Sequence, residues 1–345
     1  MMAAEVSVTG SLSLATASDA LAFVGSYMVA RAFIFGERSL KEFVRAFKMV
    51  ATVLIALSVL DTLSGHFFIN DAVAVIFHDA PPLIVKGAGD IHRELFGLWV
   101  IRATSTFPHP ILYGTFCSLA AAIFLYSEQR LVFRVLYFGM CFMGCVLSVS
   151  SAPLLALMII SSVFCYDLIL RRFPSRWKVL WGIALATGLS LFLLSNRPLG
   201  VLFDHFTFTP ETGYYRILIW QNALSFISNA PFTGDHLAWQ LDDILGDSVD
   251  SVWLVLSLVY GLPVAFFLLL ASFTASVRVR RGKNSSLDFE MRRLSTAFSL
   301  VVAIFVFLGL TVHFWGSIWL FWGLCLGVRA SISEYSCAEV GLRMA

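Results

Sequence analysis

Of the 345 residues 59% are hydrophobic, and adding the 23 glycines while leaving out the 9 tyrosines gives about 63%, where soluble domains have about 45–50%. Charged residues make up 13% against a usual ~25%, too few to cover a water-soluble globule, which excludes a cytosolic enzyme, a disordered chain and a fibre. The 24 Lys and Arg against 22 Asp and Glu leave a net charge of +2, too balanced for a nucleic-acid binder, so the positions of the charges carry the information.

Apolar runs of about 20 residues, each long enough to cross a hydrocarbon core of about 30 Å as a helix, lie near 14–36, 46–64, 110–127, 132–149, 152–170, 177–195, 251–275, 295–312 and 314–330. They are continuous rather than alternating, the pattern of spanning helices and not of barrel strands. The chain therefore reads as all-α, a polytopic integral membrane protein of about nine helices forming a single domain over 1–345. The N-terminal stretch has no basic run ahead of its first apolar segment. Met1 is expected to follow one or more helices present in longer relatives.

Sorting Lys and Arg by connection gives the orientation. The segments around Arg38–Lys48, Arg130–Arg134, Arg171–Lys178, Arg278–Arg293 and Arg329–Arg343 hold 18 basic residues. The opposite set holds five, namely Lys86, Arg93, Arg102, Arg197 and Arg216. The richer side is expected to be cytoplasmic, with the N-terminus outside and the C-terminus inside. The two longest connections, 65–109 and 196–250, then both lie outside. Loops of that length carry function more often than short ones.

Five of the six cysteines fall in the apolar runs and Cys337 in the tail, which leaves no outer disulfide. Cys141 and Cys145 are one helical turn apart but lack further ligands. His78-Asp79 and Asp242-Asp243 lack a ligand constellation too, so no metal and no cofactor is expected. Gly323 and Gly327 form a GxxxG, a pattern of closely packed membrane helices.

Three outer segments can do chemistry. Trp99-Val-Ile-Arg102 leads through Phe107-Pro-His109-Pro into the third run, where a stiff Pro-His-Pro turn would hold Arg102 and His109 at the membrane rim. His109 can equally be a plain helix start. In the second loop, Glu211-Thr-Gly-Tyr-Tyr215-Arg216 opens a short amphipathic helix through Trp220, which ends at Asn229-Ala-Pro-Phe-Thr-Gly234. Arg216 at that helix N-terminus would make an anion site suited to phosphate; the bland alternative is a lipid anchor. Asp250, at the head of the seventh run, is either an N-cap or a general base. His236 and His313 are further candidates.

Arg102-Ala-Thr-Ser-Thr-Phe-Pro-His109-Pro-Ile-Leu-Tyr-Gly114, Tyr215-Arg216-Ile-Leu-Ile-Trp220 with Pro231-Phe-Thr-Gly234, and Asp250-Ser-Val-Trp-Leu254 with Tyr260-Gly261-Leu-Pro263, in this order, resemble the O-antigen polymerase and O-antigen ligase superfamily. The resemblance covers about residues 95–270 and implies a GT-C-like fold in the bacterial inner membrane. It implies a metal-independent glycosyltransferase that polymerises undecaprenyl-diphosphate-linked glycan repeat units, of exopolysaccharide or O-antigen, on the periplasmic face. Arg102 and Arg216 would bind the donor diphosphate and Asp250 would activate the acceptor hydroxyl, with His109, Tyr215, Trp220 and His236 lining the substrate. Ligases look like His-Asn where this chain has Asp250-Ser251, which favours a polymerase over a ligase. Many relatives look like Ser-Arg where this chain has Ser150-Ser151. The implied partners are the lipid-linked glycan, the bilayer, a flippase and a chain-length-regulating co-polymerase. A lipid-linked glycan transporter or a non-catalytic subunit is the alternative from outside enzymes.

Overall fold

A helix lies at the place of every apolar run, and the described residues are mostly helical. The structure, a computed structural model, describes residues 1–9, 13–76, 92–95, 98–194, 210–235, 249–276 and 289–342. In chain order the elements are α1 (Met2–Thr9), α2 (Leu14–Phe33), α3 (Glu37–Ser64), α4 (Phe68–Ile76), β1 (His92–Leu95), β2 (Leu98–Ile101), α5 (Pro110–Ser127), α6 (Leu131–Leu147) and α7 (Ser151–Ile169). They continue with α8 (Arg176–Leu194), α9 (Pro210–Asn229), α10 (Val252–Tyr260), α11 (Leu262–Ser276), α12 (Phe289–Leu308) and α13 (Ser317–Leu342). Among the described residues α3, α5, α7 and α12 are by themselves long and apolar enough to cross a bilayer, while α6 and α11 are shorter apolar helices.

Helix α5 is apolar on every side, the pattern of a helix with no solvent face. It stands at the centre, with every residue from Leu112 to Tyr126 buried, surrounded by α3, α6, α7 and α12. The outward faces of α2, α6, α8 and α11 expose large apolar side chains such as Leu21, Val132, Leu185 and Phe267, a surface suited to lipid rather than water. The two ends of the chain close the bundle along α2 and α13. A Cβ on Gly323 would stand 2.4 Å from Ser26 Oγ, and one on Gly327 2.5 Å from the Tyr27 carbonyl oxygen. The GxxxG is thus the contact strip of this pair, and an Arg31–Glu334 ion pair ties its far end.

Several expectations change. The first long connection is not wholly irregular or all-α: it contains α4 and an antiparallel ribbon in which His92 pairs with Ile101 and Leu95 with Leu98. The seventh run is two helices, broken at Gly261 (φ 86°, ψ 164°). Helix α13 continues to Leu342, so Arg329 is not a connection anchor; it is buried within the helix and donates from Nε to Ser299 Oγ at 2.7 Å.

The break at Gly261 has a partner. Pro231-Phe-Thr-Gly234 crosses it backbone to backbone, with the Asp235 amide donating to the Leu258 carbonyl at 2.8 Å and the Leu262 amide donating to the Pro231 carbonyl at 2.8 Å. Both crossing residues are glycines with positive φ. A Cβ on Gly234 would lie 2.6 Å from Val259 C, and one on Gly261 2.4 Å from Phe232 O. Two motifs 27 positions apart are therefore one interlock, which fixes the end of α9 against the α10–α11 junction.

Candidate functional site

Arg102 directly follows β2 and is 2% exposed. The Ala103 amide donates to the Leu147 carbonyl at 2.9 Å, and Arg102 Nε donates to the Ser148 carbonyl at 3.1 Å. This draws the end of the first connection onto the α6–α7 turn. From the other side the buried carboxylate of Asp61, near the end of α3, accepts from the Ser105 amide at 3.1 Å and the Phe68 amide at 3.3 Å. Among the described residues the non-glycine positions with positive φ are Ser105 (52°) and Val149 (44°), one in each segment that grips Arg102. A β-branched residue rarely adopts that backbone, and such strain persists only where surrounding bonds over-determine it.

His109 is the N-cap of α5 (φ −150°, ψ 142°), its Nδ1 accepting from the Ile111 amide at 3.2 Å, with Pro110 as the first helical residue. The helix-start reading of Pro-His-Pro is therefore realised. Because Nδ1 accepts, the ring proton of the neutral imidazole is assigned to Nε2. One turn on, Gly114 lets the α6–α7 turn approach: a Cβ there would meet Ser148 Oγ at 2.4 Å. Arg102 and the first turns of α5 thus both pack on the backbone turn around Ser148.

The connection between α12 and α13, residues 309–316, joins this pair to the other two segments. Its Trp315 ring lies 6.0 Å from His109 and is stacked on His313 at 5.6 Å and 28°. The Gly309 carbonyl accepts from Ser251 Oγ at 2.9 Å and from the Val252 amide at 3.0 Å. The Leu310 carbonyl accepts from Trp220 Nε1 at 3.3 Å.

Two expected roles shift here. Ser251, not Asp250, is the N-cap of α10, its hydroxyl accepting from the Leu254 amide at 3.4 Å; Asp250 sits one residue earlier and is exposed. Helix α9 begins at Pro210 rather than after Gly213, which makes Arg216 its seventh residue, roughly 9 Å along the axis from the first. Arg216 is therefore not at a helix N-terminus, and the amides of the first turn do not add to its charge. It stands one turn before Trp220 on the inward face that also buries Ile219, Ala223 and Ile227 against Val249, Leu254 and Leu258, and its Nε is buried. Tyr215 points outward and is exposed. His236 lies outside the described residues.

No protein-family model matches the chain, no curated protein matches it, and no solved structure matches its fold.

The 309–316 connection thus gathers an arginine-bearing turn, an arginine-bearing helix and an exposed carboxylate, drawn from segments far apart in the chain. Among the described residues no group of three or more His, Cys, Asp or Glu could hold a metal ion. Asp61 and Trp315 escaped the reading of motifs. Asp61 looks like a stray charge at the end of an apolar run, although an acid four residues before Gly65 at a helix C-terminus, where cations are favoured, is itself unusual.

His313 Nδ1 is buried with no hydrogen-bond partner, and burial lowers its pKa from the usual 6.5 to about 4. The ring is neutral at pH 7. Since the unfolded chain takes up this proton first as pH falls, His313 contributes full stability above about pH 6.5 and loses it between there and about pH 4. The loss is on the order of 3 kcal/mol. Thermal unfolding in detergent should therefore show a midpoint that drops over this range, and the drop should flatten in His313→Phe; an equally steep variant would contradict the assignment.

Proposed function

We propose that the chain is a multi-pass inner-membrane glycosyltransferase of about nine spans, GT-C-like in architecture, that polymerises undecaprenyl-diphosphate-linked repeat units on the outer face. The single observation that carries this reading is the meeting of the Arg102, Arg216 and Asp250 segments on one connection at one end of an apolar bundle. A lipid diphosphate reaches such a rim from the bilayer, and guanidinium forks suit its oxygens.

In this reading the acceptor hydroxyl oxygen attacks the anomeric carbon of the donor glycan. The carbon–oxygen bond to the diphosphate breaks, the hydroxyl proton passes to the Asp250 carboxylate, and the lipid diphosphate leaves with the bond's electron pair. Arg216 meets the charge that grows on the leaving group, where preorganised donors are worth most. Arg102, buried and tied to Ser148, sets the turn that carries His109. The His313 ring stacked on Trp315, with the His109 ring tilted against the same indole, offers an aromatic wall for a sugar.

Asp250→Asn tests the base. Ser251 holds the α10 cap, so the unfolding midpoint should not change, whereas removing a general base should lower the transfer rate about 10²–10⁴-fold. Unchanged polymer length on a glycan gel would overturn that role.

A further inference from the structure

The opposite end of the bundle carries a cavity of about 550 Å³, where the lower ends of α5, α6, α7, α8 and α12 meet. Helix α5 runs from His109 at the candidate site to this cavity, about 27 Å away along its axis, and α7 and α12 join the same two ends. Among the described residues five arginines line it, Arg134, Arg171, Arg176, Arg292 and Arg293, against one carboxylate, Asp167.

That carboxylate is engaged with Arg176, Nε to Oδ1 at 2.5 Å. Among the described residues nearby, Glu128 pairs with Lys48, and Glu290 pairs with Lys41 and accepts from Gln129. Arg134, Arg171 and Arg293 are instead held in place by carbonyls and rings. Arg134 and Arg293 both donate to the Glu128 carbonyl, at 2.6 and 2.7 Å. Arg171 and Arg293 lie 4.7 and 5.7 Å from the Phe289 ring, and Arg134 lies 5.5 Å from Phe164. These contacts orient guanidinium groups without neutralising them. Several like charges crowded beside an apolar bundle repel one another unless an anion joins them.

We infer that this cavity binds a phosphate-bearing anion, the headgroup of an anionic membrane lipid. Guanidinium forks match phosphate oxygens two at a time. Basic pockets between the ends of membrane helices are where such headgroups lodge. The Phe164, Leu168 and Phe289 walls offer apolar surface for the start of the acyl chains. Free diphosphate shares the headgroup chemistry but has no use for those walls. The inference is independent of the proposed glycosyl transfer, since it uses none of the residues at the other end.

The test uses the purified full chain in phosphatidylcholine nanodiscs with and without diphosphatidylglycerol, read by native mass spectrometry, and a parallel titration with inorganic diphosphate in detergent. Diphosphatidylglycerol should be retained at least ten-fold over phosphatidylcholine. The Arg171→Gln/Arg292→Gln double variant should lose at least ten-fold of that preference while its lipid-free unfolding midpoint stays unchanged. Weaker retention at high salt in the wild-type chain gives the same answer should the double variant fold poorly. Tight diphosphate binding that diphosphatidylglycerol does not displace would overturn the lipid assignment. Equal retention of both lipids, or of diphosphatidylglycerol by wild type and variant alike at every salt concentration, would overturn the site.

Discussion

Replacing Arg216 by alanine is expected to abolish high-molecular-weight glycan while leaving the protein's level and membrane insertion intact. The side chain lies on the face of α9 that packs inward, one turn from the Trp220 indole that bonds the Leu310 carbonyl, so its charge is held where the Arg102 and Asp250 segments meet. Removing one preorganised donor from a leaving-group site costs about 10²–10³ in rate, enough to leave single repeats. Arg216→Lys should restore little, because an ammonium cannot make the paired bonds of a guanidinium. Glycan gels beside immunoblots of the membrane fraction measure both outcomes. Full polymer with lysine would return Arg216 to the role of a lipid anchor.

The second large effect is structural. Gly261 adopts φ 86° and ψ 164°, a region open essentially to glycine alone, and a Cβ there would sit 2.4 Å from the Phe232 carbonyl oxygen. Gly261→Ala therefore adds backbone strain of about 1–3 kcal/mol to an overpacking cost of about 1–3 kcal/mol. The clashing atoms are backbone and cannot rotate away. Thermal unfolding in detergent should show a strongly lowered midpoint, and glycan length should fall with it, because the interlock with Gly234 sets α10 and hence Asp250 against α9. A variant as stable as wild type would show that the crossing tolerates a methyl group.

The helices were largely legible because lipid-length apolar runs leave few other solutions for the backbone. The GxxxG was legible for the same reason: small residues at that spacing are what α2 needs in order to approach α13. The break at Gly261 was hidden, since apolar residues continue on both sides and the cause lies in the distant Pro231–Gly234 segment. The start of α9 was misplaced although its signal was present: Pro210 as first residue with Glu211 behind it is a helix opening, and Thr212-Gly213 drew the boundary too late. Asp250 and Ser251 both offer a capping oxygen in the sequence, and Ser251, one residue on, is the better placed. Asp61 and Trp315 could not be read from local pattern, because each acts across the chain, one on the Ser105 turn and one on His109. Three candidate segments were legible as motifs; that residues 309–316 join them was not.

Transfer of a glycan from a lipid diphosphate can be measured directly. Purified chain is incubated with an undecaprenyl-diphosphate-linked oligosaccharide of defined length, and products are resolved by gel and mass spectrometry. The expected product is a ladder of lipid-linked glycans at whole multiples of the repeat, with one undecaprenyl diphosphate released per new bond and no ladder from Arg216→Ala. Unchanged substrate, or movement of the intact lipid-linked glycan across a vesicle membrane without any new glycosidic bond, would contradict it.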